Sequence, residues 1–148
     1  MILKLVRVYR RGQMKFVEPE DSVNLISIWS LNFMARSEYG KEDVPMEGWN
    51  DVIKLEFDDI VSFSPKMKLV PFDTKMADDL LSFIEVHEGE EFVVHCDAGM
   101  SRSVAVACFL RDDLGYDADL YAIDTDKYRN VTIMNALRRA HYGMVEKT

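Results

Sequence analysis

The amino-acid sequence predicts an α/β fold, a mostly parallel central sheet with helices on both faces. Three observations carry this. From residue 23 onward, short apolar stretches alternate with segments of helical periodicity, the pattern of strands joined by helical crossovers. The stretch Val23–Trp29 is largely apolar, as a strand covered on both faces must be. The chain has 148 residues, 48% of them hydrophobic, enough for one domain with a substantial core, so residues 1–148 read as a single domain.

In chain order, Ile2 to Tyr9 reads as a strand, and Arg11-Gly12 can turn the chain back through Met14–Val17. Residues 1–20 then take the form of an N-terminal hairpin extension. Glu18-Pro19-Glu20-Asp21 is turn-like, and Val23–Trp29 enters the main sheet. Between residues 30 and 50 the pattern dissolves into Ser, Asn, Gly, Pro and charges. Trp49 is expected to pack inward, making this segment a scaffold excursion rather than a rim for a ligand. Val52–Phe57 is the next strand and runs straight into Asp58-Asp59. Residues 60–71, with Ser62, Ser64, Pro65 and the basic pair Lys66 and Lys68, form a loop.

Asp73 caps a helix whose apolar stripe is Met76, Ala77, Leu80, Leu81 and Ile84, and Gly89 ends it. His87, in the last turn, is expected to be a partner of the helix dipole, and His141 likewise. Beyond the strand around Phe92–Cys96, a helix from about Ser101 to Leu114 is stopped by Gly115, with Cys108 on it as a small buried hydrophobe. Tyr116 to Arg129 is polar with scattered aromatics. Asn130 caps a last helix, through about His141, that turns Val131, Ile133, Met134 and Leu137 inward.

The densest chemistry lies in Phe92-Val93-Val94-His95-Cys96-Asp97-Ala98-Gly99-Met100-Ser101-Arg102-Ser103, a buried strand, a tight loop and a helix start in succession. Cys96 thereby sits at the mouth of a helix N-terminus. Unsatisfied backbone N–H groups and a partial positive charge there bind anions and stabilise a thiolate. The amides of Asp97, Ala98, Gly99, Met100, Ser101 and Arg102 can converge on one point as a nest for a tetrahedral oxyanion. Arg102 adds a planar fork of donors matched to phosphate oxygens. Ligands of open parallel sheets bind beyond the carboxyl ends of the strands, and the strand ends at Asp58-Asp59 and at Cys96 both fall on that rim.

His95-Cys96-x-x-Gly99-x-x-Arg102-Ser103 resembles the signature of the cysteine-dependent protein tyrosine phosphatases, and its compact setting is most similar to their dual-specificity branch. The motif is far more specific than a lone GxGxxG. The likeness is close over the loop and looser from about residue 23 to the C-terminus. It implies a protein tyrosine phosphatase-like fold and hydrolysis of phosphomonoesters on phosphoprotein, at phosphotyrosine and in some members phosphoserine or phosphothreonine, through a phosphocysteine intermediate.

By the same resemblance Cys96 is the nucleophile, and Arg102 with the loop amides holds the phosphate. Ser103 hydrogen-bonds the sulfur, and His95 orients the loop backbone. In the family, a strand ending in an aspartate-bearing loop delivers the general acid a few tens of residues before the cysteine. Phe57-Asp58-Asp59 resembles members in which the second aspartate serves, which assigns Asp59 and keeps Asp58 as the alternative. No metal or organic cofactor is implied, and the partner is a phosphorylated protein or a small aryl phosphate. Asp97, Ala98 and Met100 make the loop less basic than in lipid-directed relatives, which points away from phosphoinositides.

A net charge of −8 argues against a nucleic acid or an anionic membrane as the main partner. Cys96 and Cys108 make no disulfide framework, which fits a reducing, cytoplasmic setting. The charged start Met1 to Arg10 is a poor signal peptide, and the longest apolar run, Val104 to Leu110, is too short to span a bilayer. Oligomeric state is not encoded in any pattern. Two other classes place a cysteine or an anion site on such a loop: a catalytically silent phosphate-recognition module and a rhodanese-like sulfurtransferase. The Arg102-Ser103 ending and the upstream Asp59 fit the phosphatase better.

Overall fold

The computed structural model describes residues 4–30, 44–58, 70–96, 101–120 and 129–143. In chain order these form β1 (Leu5–Arg10), the one-turn α1 (Arg11–Met14), β2 (Val23–Trp29), β3 (Asp51–Glu56), α2 (Thr74–Val86), β4 (Glu91–Cys96), α3 (Arg102–Leu114), β5 (Asp117–Asp119) and α4 (Val131–Tyr142). The five strands make one sheet in the order β3-β2-β4-β1-β5, and every pairing is parallel. The α/β class with a parallel sheet is therefore what the chain adopts.

Side chains alternate across each strand, so the two faces of the sheet collect different residues. Val6, Val8, Ile26, Ile28, Leu55, Phe92, Val94 and Cys96 share a core with α2, α3 and α4. Val23, Leu25, Trp29 and Val93 form a second core with Met14, Val44 and Trp49. Helical cover is thus present on both faces but unequal: three long helices on one, α1 and the 44–50 segment on the other. Trp49 packs inward as its position suggests, with its Nε1 donating to the Pro45 carbonyl at 2.8 Å. Arg102 to Leu110 are all buried, so α3 is the central helix, wrapped on every side.

The N-terminal hairpin is corrected by the sheet. β1 lies inside it, with Val8 opposite Val94 of β4 and Val6 opposite Ala118 of β5. Arg11–Met14, expected to turn back towards a second strand, form a helical turn instead, closed by the Arg10 amide donating to Gln13 Oε1 at 2.8 Å. Burial of Val6 and Val8 between two parallel neighbours outweighs a local two-stranded pairing, which is marginal in water by itself.

Two further expectations shift. Asp117–Asp119 is a strand, although Asp-Ala-Asp has no strand pattern; it forms because the Asp117 amide donates to the Lys4 carbonyl at 2.8 Å and the segment continues along β1. Val131, expected to face inward, is 53% exposed, since Ile133, Met134 and Leu137 define the buried stripe and Val131 falls outside it. The predicted caps are present: Asp73 Oδ1 accepts from the Met76 amide at 2.8 Å and Asn130 Oδ1 from the Ile133 amide at 3.2 Å. Gly115 ends α3 in the left-handed region, with φ 77°. No helix among the described residues is long and apolar enough to cross a membrane.

Strand order also fixes where a ligand can sit. After β2 the chain moves outward to β3, and after β4 it moves the other way to β5. The crevice between the carboxyl ends of β2 and β4 is therefore a topological switch point.

Candidate active site

β4 ends at that crevice with His95 and Cys96, which alternation sends to opposite faces of the sheet. Cys96 points to the side of the long helices, is 1% exposed, and its Sγ lies 3.2 Å from Ser103 Oγ in the first turn of α3. A sulfur at the head of a central helix faces the positive end of its dipole. Ser101, at the N-cap position, does not turn its hydroxyl onto the first-turn amides, the usual task of serine there.

Arg102 is the first residue of α3 and is buried, with only 4% exposure. Its Nη1 donates to Ser30 Oγ at 2.9 Å and to the Phe57 carbonyl at 2.7 Å, and its guanidinium carbon sits 6.0 Å from the centre of the Phe57 ring. These contacts tie the head of α3 to the ends of β2 and β3. Both of these acceptors are neutral, and they fix the orientation of the guanidinium through Nη1. Its Nε–Nη2 edge has the fork geometry that matches two oxygens of a phosphate.

Asp58 is drawn into the scaffold. Its Oδ2 accepts from the Val70 amide at 2.8 Å, and its own amide donates to the Val70 carbonyl at 2.7 Å. This two-bond clasp joins the residues that flank 59–69, and Phe57 packs on Phe72 beside it, with ring centres 4.8 Å apart. Asp59, Lys66 and Lys68 lie outside the described residues, as do Asp97, Ala98, Gly99 and Met100 of the expected phosphate-binding loop. Of the residues singled out in the sequence, the structure thus brings Cys96, Ser103 and Arg102 to one rim, sets His95 behind them, and anchors Asp58.

Several contributors carry no motif. Ser30 and the Phe57 carbonyl hold Arg102, and the only sequence signal for Ser30 is a polar residue directly after a buried strand. Asn130, read as a helix cap, also donates its amide to the Ser101 carbonyl at 3.2 Å and so joins the start of α4 to the start of α3. Ser27 Oγ meets His95 Nε2 at 2.6 Å and takes a hydrogen bond from Trp29 Nε1 at 2.6 Å. A serine inside an otherwise apolar strand was the available hint.

His87 and Cys108 belong elsewhere. Cys108 is fully buried in the helical core. His87 lies at the opposite end of the sheet, where Nε2 meets Asp51 Oδ2 and Nδ1 meets Glu90 Oε1, both at 2.8 Å. Burial opposes its charge, but the hydrogen bonds to Asp51 and Glu90 outweigh it and hold its pKa above the ordinary value. It is a hydrogen-bond hub, more than the dipole partner its helical position suggests. Among the described residues no group of three His, Cys, Asp or Glu side chains is placed to hold a metal ion.

No family model matches this chain, and no curated protein does. Among the solved structures that resemble it are two phosphatase-named chains. One is the crystal structure of Tk-PTP in the active form, 18% identical, with a TM-score of 0.45 over 97% of this chain and 84% of that one. The other is the crystal structure of human tyrosine phosphatase-like serine/threonine/tyrosine-interacting protein, 17% identical, with a TM-score of 0.47 over 81% of this chain and 76% of that one.

Proposed function

We propose that this protein is a cysteine-dependent phosphomonoesterase that acts on phosphoproteins, at phosphotyrosine and, in the dual-specificity manner, at phosphoserine and phosphothreonine. The observation that supports it most is the grouping at the head of α3: Cys96 Sγ 3.2 Å from Ser103 Oγ, beside a buried Arg102 anchored through Nη1.

The Cys96 thiolate attacks phosphorus in line with the leaving oxygen. A sulfur–phosphorus bond forms as the phosphorus–oxygen ester bond breaks. Arg102 and the amides of residues 97–102 hold the equatorial oxygens, so the protein contributes positioning and charge stabilisation. Asp59, protonated, gives its proton to the departing phenolate or alkoxide. Ionised, it then takes a proton from the water that attacks phosphorus and releases inorganic phosphate. Ser103 donates its hydroxyl hydrogen to the sulfur, stabilising the thiolate as it leaves. Asp58, already accepting from the Val70 amide, holds the neck of the loop that carries Asp59. This chemistry asks for no metal, since the cation and the amides do the work.

Hydrolysis of p-nitrophenyl phosphate by the wild type and its loss in Cys96→Ser is the expected result. Turnover by neither would leave a phosphate-recognition module. Sulfur transfer from thiosulfate to cyanide without phosphate release would make it a sulfurtransferase.

A further inference from the structure

On the face of the sheet away from the long helices, behind the nucleophile, Trp29, Ser27 and His95 form a chain of hydrogen bonds. Ser27 and His95 sit opposite each other in the β2–β4 register, and Trp29 follows on the same face of β2. Ser27 and His95 are completely buried and Trp29 nearly so. Trp29 Nε1 donates to Ser27 Oγ at 2.6 Å, Ser27 Oγ lies 2.6 Å from His95 Nε2, and the two rings meet edge-on with centres 5.6 Å apart.

The donor inventory decides the direction of this chain. An indole nitrogen only donates, so Ser27 Oγ accepts from Trp29. The hydroxyl has one hydrogen to give, and apart from Trp29 Nε1, which cannot accept, its hydrogen-bond partner among the described residues is His95 Nε2. Were Nε2 to carry a proton, the Ser27 hydrogen would be stranded in a dry site, at a cost of about 1–3 kcal/mol. Ser27 therefore donates, and Nε2 is the acceptor.

We propose that Ser27 and Trp29 are positioning residues that lock His95 as the neutral tautomer protonated at Nδ1. That nitrogen lies nearer the histidine's own main chain, so the lock presents a donor, and not a lone pair, beside the end of β4. The catalytic part of the proposal, that a fixed His95 steadies the strand end that carries Cys96, rests on the phosphatase reading; the tautomer itself does not.

The test is long-range proton–nitrogen correlation NMR of the full chain with 15N-labelled histidine near neutral pH. The signals are assigned with His87→Gln and His141→Gln, which remove the other two histidines. The expected wild-type result is a pyridine-type Nε2 and a pyrrole-type Nδ1 for His95. In Ser27→Ala the preference collapses towards a mixture, and in Trp29→Phe, which keeps the ring and removes only the indole donor that polarises the hydroxyl, it weakens. A protonated Nε2 in the wild type overturns the proposal, as does an unchanged tautomer in either folded variant.

If the wild type hydrolyses aryl phosphate, Ser27→Ala lowers kcat roughly tenfold with KM nearly constant, the signature of a group acting on the transition state through another. An unchanged kcat beside a shifted tautomer overturns the catalytic part alone. If the wild type does not turn over, the NMR result still stands or falls separately.

Discussion

The two ends of the sheet use a buried or half-buried cation in opposite ways. At the carboxyl end, Nη1 of Arg102 is held by a hydroxyl and a carbonyl, two neutral acceptors that orient it. At the amino end, His87 is clasped between Asp51 and Glu90, while Asn24 and Asn50 donate to Glu90 Oε1 at 3.2 and 3.3 Å. There the charge is answered on the spot. The first arrangement is suited to an anion that comes and goes, the second to fastening α2 to the sheet. Strand direction decides which end is which, because helix N-termini and loop amides gather beyond the carboxyl ends of parallel strands.

Breaking the carboxyl end should have the largest effect. Cys96→Ser is expected to cut phosphate-ester turnover by about five orders of magnitude with the melting temperature barely moved, measured by single-turnover and steady-state assays. Arg102→Lys keeps a positive charge but not the fork, and should cost roughly 10²–10³ in kcat/KM. A lysine variant that works as well as the arginine would remove the fork from the mechanism.

The aspartate pair separates chemistry from scaffold. Asp59→Asn should lower kcat by about 10²–10⁴ and flatten the alkaline limb of the pH–rate profile, leaving stability intact. Asp58→Ala should act the other way, costing about 1–3 kcal/mol in urea unfolding because the Val70 amide loses its buried acceptor. A flattened limb in a folded Asp58→Asn protein, with Asp59→Asn normal, would exchange the two roles.

The amino end gives the smallest effect, visible mainly as pH dependence. The pKa of His87 is raised, so its contribution is full below the ordinary histidine value and fades as pH rises through the raised one. Asp51, lowered by its bond to His87 and by the Val52 amide, contributes above the usual carboxylate range and loses that contribution on acidification. Wild type should therefore exceed His87→Gln in stability by on the order of 0.5–1 kcal/mol in mildly acid solution, because the pair is partly solvated. The two melting curves should converge in alkaline buffer. A gap that widens with rising pH would mean that His87 is held neutral.

Much of the site was legible because it is local. The loop from Cys96 to Ser103 is contiguous in sequence, and a nucleophile, an anion nest and a helix start need no distant partner to be recognised together. The strands Val23–Trp29 and Asp51–Glu56 and the caps Asp73 and Asn130 follow from short-range pattern for the same reason. What failed to show were elements made by pairing at long range: β1 in mid-sheet where a hairpin was expected, and β5, whose three residues become a strand only by joining β1. His87 likewise met Asp51, a partner far away in the chain.

By itself, the sequence determined the fold class and singled out Cys96 with Arg102 and the rim on which an acid could meet them, since these rest on periodicity and on neighbours a few residues apart. Only the tertiary structure decided that Ser30 and Phe57 hold the arginine, that Asp58 serves as a clasp, and that Ser27 and Trp29 stand behind His95. Hydrogen bonds at 2.6–2.9 Å between separate strands and helices depend on register and strand order. Neither is written in the spacing of residues along one strand, because each is set by how whole elements bury their faces against one another.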